Sequence, residues 1–175
     1  MSSTGQRVGV VVGNPKAGSR TLDVGLAVLR KAAEAAGVGG GDEVVVDLAG
    51  VGPEVLDWSS ERVRSLVDAV AGCSLLVVAS PTFKASYTGL LKCFLDWFGT
   101  TGLSGVVTVP VMVGAAPAHA LAVEVHLRPV LVEIGASLPT RGLYVTEADL
   151  PRLDEVIAVW LEHAGPALRN VLAAK

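Results

Sequence analysis

The hydrophobic positions of this chain alternate between short unbroken apolar runs and longer stretches with a helical repeat. Arg7 to Val12 is β-branched and predicts a first strand, whereas Leu22, Leu26, Leu29, Ala33 and Ala36 fall at helical spacing and predict a helix over Thr21 to Ala36, ended by Gly37. Gly37 to Gly41 reads as a loop into a second strand, Glu43 to Leu48. Ala49 to Ser59 holds two glycines and a proline and reads as irregular. Ser60 to Ala71 predicts a second helix, closed by Gly72. Ser74 to Ala79 is rich in Val and Leu, stops at Ser80-Pro81, and predicts a buried third strand. From Thr88 to Phe98 the period is helical again. Val106 to Val113 predicts a fourth strand, in which Pro110 is awkward because it has no N–H to give the ladder. A helix near His119 to Ile134, a short strand at Gly142 to Thr146 and a last helix from Pro151 towards Ala173 complete the chain, with a break expected at Gly165-Pro166.

Strands and helices that take turns imply a mostly parallel sheet with right-handed crossovers and helices on both faces. No linker or internal repeat interrupts the order, so residues 1–175 read as a single α/β domain. A hydrophobic share of 51% is ample for such a core, and with aromatics at only 5% the filling falls to Val, Leu and Ala.

Charge removes some functions. The net charge is −3 and no block of Lys and Arg occurs, so nucleic acid is not an expected partner. No apolar stretch approaches the roughly 20 residues that cross a bilayer. Met1 to Arg7 lacks a signal peptide's basic start and apolar middle, so a cytoplasmic protein is expected. Cys73 and Cys93 have no ligand or C-x-x-C spacing and read as reduced structural thiols.

Candidate chemistry sits in three loops that each follow a strand: Gly13 to Arg20, Ser80 to Tyr87 and Gly114 to Ala118. In a parallel sheet they share one edge, where open α/β sheets place ligands. Gly13 and Gly18 have P-loop spacing, but Ser19-Arg20 stands where Lys followed by Ser or Thr would be needed for nucleotide hydrolysis. Nor do Gly9 and Gly13 make a dinucleotide fingerprint. The loop suits a single phosphate through backbone N–H groups, the Ser19 and Thr21 hydroxyls and a helix N-terminus; equally, Ser19 and Thr21 serve as helix caps. Both readings stand at this level. His119 and His126 are seven apart on one helix, and a metal would need at least a third ligand, so no metal site is expected.

Three motifs carry a family resemblance. They are Gly13-Asn14-Pro15-Lys16-x-x-Ser19-Arg20-Thr21, the stretch Pro81-Thr82-Phe83-Lys84-Ala85-Ser86-Tyr87-Thr88-Gly89-Leu90-Leu91-Lys92-x-x-Leu95-Asp96, and Gly114-x-x-x-Ala118-His119-x-Leu121-Ala122-Val123. Together they resemble the NAD(P)H-dependent FMN reductases, closest to the branch that supplies reduced flavin to alkanesulfonate and methanesulfonate monooxygenases. The likeness runs from about residue 7 to 150, and Lys-Ala-Ser-x-x-Gly-x-Leu-Lys is its most specific part.

That resemblance implies a flavodoxin-like three-layer sandwich with strand order 2-1-3-4-5, FMN and NADPH or NADH as cofactors, a flavin-dependent monooxygenase as partner and a homodimer or homotetramer. Carried over by position, Asn14, Lys16, Ser19, Thr21 and Leu22 surround the FMN phosphate, with Arg20 and Lys84 also in reach of a phosphate. Pro81, Thr82, Phe83 and Lys84 lie along the isoalloxazine, Ser86 completes that turn, and Gly114, Ala115 and Ala116 approach the pyrimidine end. His119 is a further candidate flavin contact. No side chain is expected to act as a catalytic acid or base, because hydride passes between the two cofactors. Phe83 replaces a common Tyr and Asn14 a common Ser. A tyrosine that accompanies a π-bulge in some members is replaced by Val125, which leaves a bulge near Val125 and His126 as the expectation. The broad apolar surface of Thr88 to Phe98 is either deeply buried or a subunit interface, and the resemblance favours the interface. A quinone, azo-dye or chromate reductase with tightly held FMN, and a flavodoxin-type electron carrier, are the alternatives.

Overall fold

The computed structural model describes residues 6–174, so the start of the chain on which the signal-peptide reading rests lies outside the described residues. Five strands, β1 (Gln6–Val12), β2 (Gly40–Asp47), β3 (Leu75–Pro81), β4 (Val107–Gly114) and β5 (Leu143–Thr146), form one parallel sheet. Their order is β2-β1-β3-β4-β5, the flavodoxin-like order. β3 and β4 are buried at every residue, because helices cover both faces and leave no polar side to alternate with.

Helices α1 (Arg20–Ala36) and α5 (Leu153–Ala173) cover one face, packing Val24, Val28, Leu29, Ile157 and Leu168 on the inward residues of β1, β3 and β4. The other face lies under α2 (Glu61–Ala71), α3 (Gly89–Leu95) and α4 (Arg128–Glu133). Cys73 belongs to that second core, where burial pushes its thiol up to about 11, so it stays a protonated apolar residue at neutral pH. Its sulfur also explains Gly9, since a Cβ there would lie 2.8 Å from Cys73 Sγ.

Pro110 sits comfortably within β4. The Thr108 N–H turns outward to Ser137 O (2.7 Å), and Pro110, two residues on, faces the same side. β5 pairs with β4 only from Val111↔Leu143 onward, so the donor that proline lacks has no waiting acceptor.

Several boundaries differ from those read in the sequence. β2 begins at Gly40, inside the expected glycine loop. α3 ends at Leu95 and not Phe98. β2 ends at Asp47, and the expected irregular stretch is taken up largely by two short 3₁₀ turns, Leu48–Gly50 and Gly52–Leu56. Glu147–Arg152 is a 3₁₀ turn with a Thr146/Asp149 capping box, so Pro151 precedes the last helix. α5 then runs unbroken through Gly165-Pro166. Packing overrides the proline there: Gly165 is buried against α1, and Arg169 donates through Nε and Nη2 to Ala35 O (3.1 and 2.9 Å), capping the C-terminal turn of α1.

The expected helix from His119 to Ile134 is three pieces, a 3₁₀ turn at Pro117–His119, a π-helical turn at Val123–Leu127 and α4. The bulge therefore spans both Val125 and His126. Pro129 sits in the first turn of α4, directly after the π turn. Glu124 within the π turn accepts from the Gly142 N–H (2.6 Å) and from Arg128, which also donates to Leu138 O and Thr140 O. Burial pushes the Glu124 carboxyl up, but Arg128 and the Gly142 amide outweigh it and hold the carboxyl below its ordinary range.

Candidate functional site

The strand order reverses direction between β1 and β3, and the loops after those two strands meet at the carboxyl edge of the sheet. Gly13 is the hinge of that meeting. Its N–H donates to Ala79 O (2.8 Å), while its carbonyl accepts from Thr88 Oγ1 (2.5 Å). Thr88 Oγ1 also accepts from Leu91 N (3.1 Å) as the N-cap of α3, and Thr88 N–H donates to Ser80 Oγ (3.1 Å). A Cβ on Gly13 would come within 2.5 Å of Leu91 Cβ, so the first loop is clasped to α3 at a position only glycine fits.

The first loop holds its shape with its own side chains. Asn14 Oδ1 accepts from Lys16 N (2.9 Å) in an Asx turn, and Asn14 Nδ2 donates to Thr21 Oγ1 (3.1 Å). Ser19 is the N-cap of α1, its Oγ accepting from Leu22 N (3.3 Å). Both readings of the loop are therefore compatible for Ser19, which caps α1; Thr21 lies inside the helix and caps nothing, its hydroxyl accepting from Asn14, and both residues are buried at the rim of a cleft. The amides of Arg20 and Thr21 open the helix with no intrahelical partner, and the α1 dipole adds positive potential. Two carboxylates also reach this loop. Asp47 Oδ2 accepts from Gly18 N (3.3 Å), and Glu147 Oε1 pairs with Arg20 Nη2 (3.0 Å).

The second loop is held by its backbone. Thr82 N–H extends the β3–β4 ladder to Val113 O (2.7 Å). Phe83 and Ser86 then exchange hydrogen bonds (2.8 and 3.1 Å) across a two-residue turn in which Lys84 (φ 50°) and Ala85 (φ 65°) are both left-handed. That is a type I′ turn without the usual Asn-Gly, at a cost of roughly 1 kcal/mol per residue. Phe83 is 51% exposed at its base.

A cleft of about 300 Å³ joins the two loops to the end of β4, walled by Asn14, Lys16, Ser19, Arg20 and Thr21, by Pro81, Thr82 and Phe83, and by Gly114 and Ala115. At one end lie cations and free helix amides; at the other lie an apolar ring and peptide planes. Thr82 Oγ1 is buried and has no hydrogen-bond partner among the described residues. These residues fit a flat ring system that carries a phosphate. A cleft of about 560 Å³ between Pro139–Arg141 and α5 is larger, but it precedes β5 at the opposite edge of the sheet and lacks the helix N-terminus.

The remaining expected residues lie outside this wall. Leu22 packs into the core beneath the loop, Lys84 and Ser86 form the turn behind Phe83, and His119 is exposed in an adjacent recess with Ala85, Leu121, Val125 and His126. Ala116 offers its carbonyl to Tyr144 Oη (3.0 Å). Gly114, in the wall itself, also makes room for tyrosine, since a Cβ there would lie 2.0 Å from Tyr144 Oη. Sequence reasoning missed Asp47, Tyr144 and Glu147. All three sit at or near the ends of β2 and β5, and extending the strand-end rule to those strands would have found them.

Among known proteins, a family model described as NADPH-dependent FMN reductase matches residues 6–149. This chain belongs to that family. Among FMN reductase relatives, the FMN reductase (NADPH) of Escherichia coli K12 is 31% identical over 93 residues, which is 53% of this chain and 49% of the relative. The NADH-dependent FMN reductase SfnF of Pseudomonas putida is 34% identical over 90 residues, 51% of this chain and 48% of the relative. The chain thus spans about half the length of the curated relatives it matches. Among solved structures, the apo form of the NADH:FMN oxidoreductase EmoB superposes with a TM-score of 0.78 at 26% identity, covering 97% of this chain and 89% of that one. An oxidoreductase from Corynebacterium diphtheriae shares the fold with a TM-score of 0.84 at 23% identity over 99% of this chain and 100% of its own.

Proposed function

We propose that this chain reduces FMN with NAD(P)H and hands the reduced flavin to a flavin-dependent monooxygenase. The observation that carries the reading is the cleft at the β1/β3 reversal, with a phosphate-suited loop at one end and Phe83, Thr82 and Ala115 at the other. Bound FMN supplies the hydride acceptor and the nicotinamide supplies the hydride. The protein's own part is to hold and orient. Lys16, Arg20 and the first amides of α1 face the phosphate, Pro81 to Phe83 present a flat wall to the ring, and the Thr82 hydroxyl gives the ring edge a buried donor or acceptor. Lining side chains with titratable heads cluster at the phosphate end, which agrees with chemistry that needs no protein acid or base. The test is oxidation of NADPH and of NADH, with and without added FMN. FMN-dependent oxidation is expected, and no oxidation of either nucleotide under any of these conditions would falsify the reading.

The protein is further proposed to act in the cytoplasm as a homodimer or homotetramer. Among the described residues no helix is long and apolar enough to cross a membrane. The proposed interface shifts from α3 and the residues just after it, where Leu91, Phe94, Leu95 and Phe98 are buried within the chain, to the surface from Leu121 through the π turn into α4, where Leu121 is 72% exposed and Val125 and Val132 are each 57% exposed. A monomer in sedimentation at micromolar concentration would refute the assembly.

A further inference from the structure

The anion loop arrives with its own anions. Asp47 ends β2 beside Val12, its Oδ2 accepts from the Gly18 amide (3.3 Å), and its Oδ1 accepts from Ala49 N (3.3 Å) at the start of the following turn. Glu147, just beyond β5, lines the same cleft as Asn14, Lys16 and Ser19 and pairs with Arg20 at 3.0 Å. Two segments far apart in sequence thus bring one carboxylate each to the loop, Glu147 pairing with Arg20 and Asp47 holding the Gly18 amide.

We propose that Asp47 and Glu147 are internal competitors for the flavin phosphate and set how readily FMN leaves this cleft; the proposal rests on the reductase reading above. A phosphate monoester carries about −1.5 to −2 charges at neutral pH. To seat it, the loop must share Arg20 with Glu147 and release the Gly18 amide from Asp47, while the phosphate gains Lys16, the Ser19 rim and the α1 amides. The competing carboxylates raise the free energy of the bound dianion and leave the isoalloxazine contacts untouched. A loop built this way suits a flavin that is taken up, reduced and surrendered, in contrast to one held permanently.

The experiment compares FMN with riboflavin, which has the same ring and no phosphate, by titrating the quenching of flavin fluorescence on the full chain. Glu147→Gln keeps the size of the side chain and removes its charge. It is expected to tighten FMN about tenfold, the size of one charge acting on a dianion across a largely solvated gap, and to leave riboflavin within about twofold. Asp47→Asn keeps an oxygen for the Ala49 amide and is expected to tighten FMN in the same direction, also with riboflavin unchanged. Unchanged or weaker FMN binding in both variants overturns the proposal, and so does an equal shift for FMN and riboflavin, which would mean a general change of cleft shape. If the unaltered chain binds neither flavin, the reductase reading fails and this inference falls with it. FMN binding that ignores both substitutions overturns the inference alone.

Discussion

The loops after β1 and β3 form opposite ends of one cleft and are built by different means. Gly13 to Arg20 is shaped by side chains: an Asx turn at Asn14, a cap at Ser19, and carboxylates lent by Asp47 and Glu147. Ser80 to Thr88 is shaped by backbone, through a ladder bond at Thr82 and two left-handed residues in the turn at Lys84 and Ala85. The difference matches the parts of a flavin each would meet. A phosphate needs charge and many donors, and side chains tune those one at a time. A flat ring needs a rigid wall, and a strained turn fixed at both ends supplies one.

The clasp at Thr88 couples the two constructions, and breaking it should have the largest effect. Thr88→Val removes the α3 cap and leaves the buried Gly13 carbonyl unpaired, for an expected loss of about 3 kcal/mol in urea unfolding at unchanged m-value. A loss under about 1 kcal/mol would mean that the loops are held independently. Ser19→Asp should separate binding from folding at the first loop. Aspartate caps a helix as well as serine, so stability should hold, while FMN affinity should fall about a hundredfold by charge against the phosphate. Unchanged affinity would place the phosphate elsewhere. The smallest effect belongs to the second loop. Ala85→Gly relieves a left-handed alanine, partly offset by a more flexible unfolded chain, for a net gain of about 0.5 kcal/mol and a rise in Tm of one or two degrees. A fall in Tm would show that the left-handed turn is not strained.

What could be read in the sequence follows the same division. β1, β3 and β4 announce themselves as apolar runs because both faces are buried, and the Ser19 cap and Gly37 stop are local signals. The left-handed turn is not legible, since Lys84-Ala85 carries none of the glycine or asparagine that marks such turns. Asp47 and Glu147 look like ordinary surface acids until the topology brings β2 and β5 to the same edge as β1. The break expected at Gly165-Pro166 failed because the local rule knows nothing of α1, which fixes the helix from outside. In contrast, the π turn was legible only through resemblance; no periodicity in Val123 to Leu127 marks it.

Tyr144 standing over Gly114 couples two positions thirty residues apart. With a Cβ at 114 only 2.0 Å from the tyrosine oxygen, alanine there requires the ring at 144 to swing aside or be lost. Losing that ring releases the Ala116 carbonyl and reopens the wall of the cleft beside it. The two positions are thereby coupled: a side chain at 114 displaces the tyrosine, and a small residue at 144 leaves Thr82 Oγ1, 3.0 Å from the same Cβ, as the next neighbour it meets.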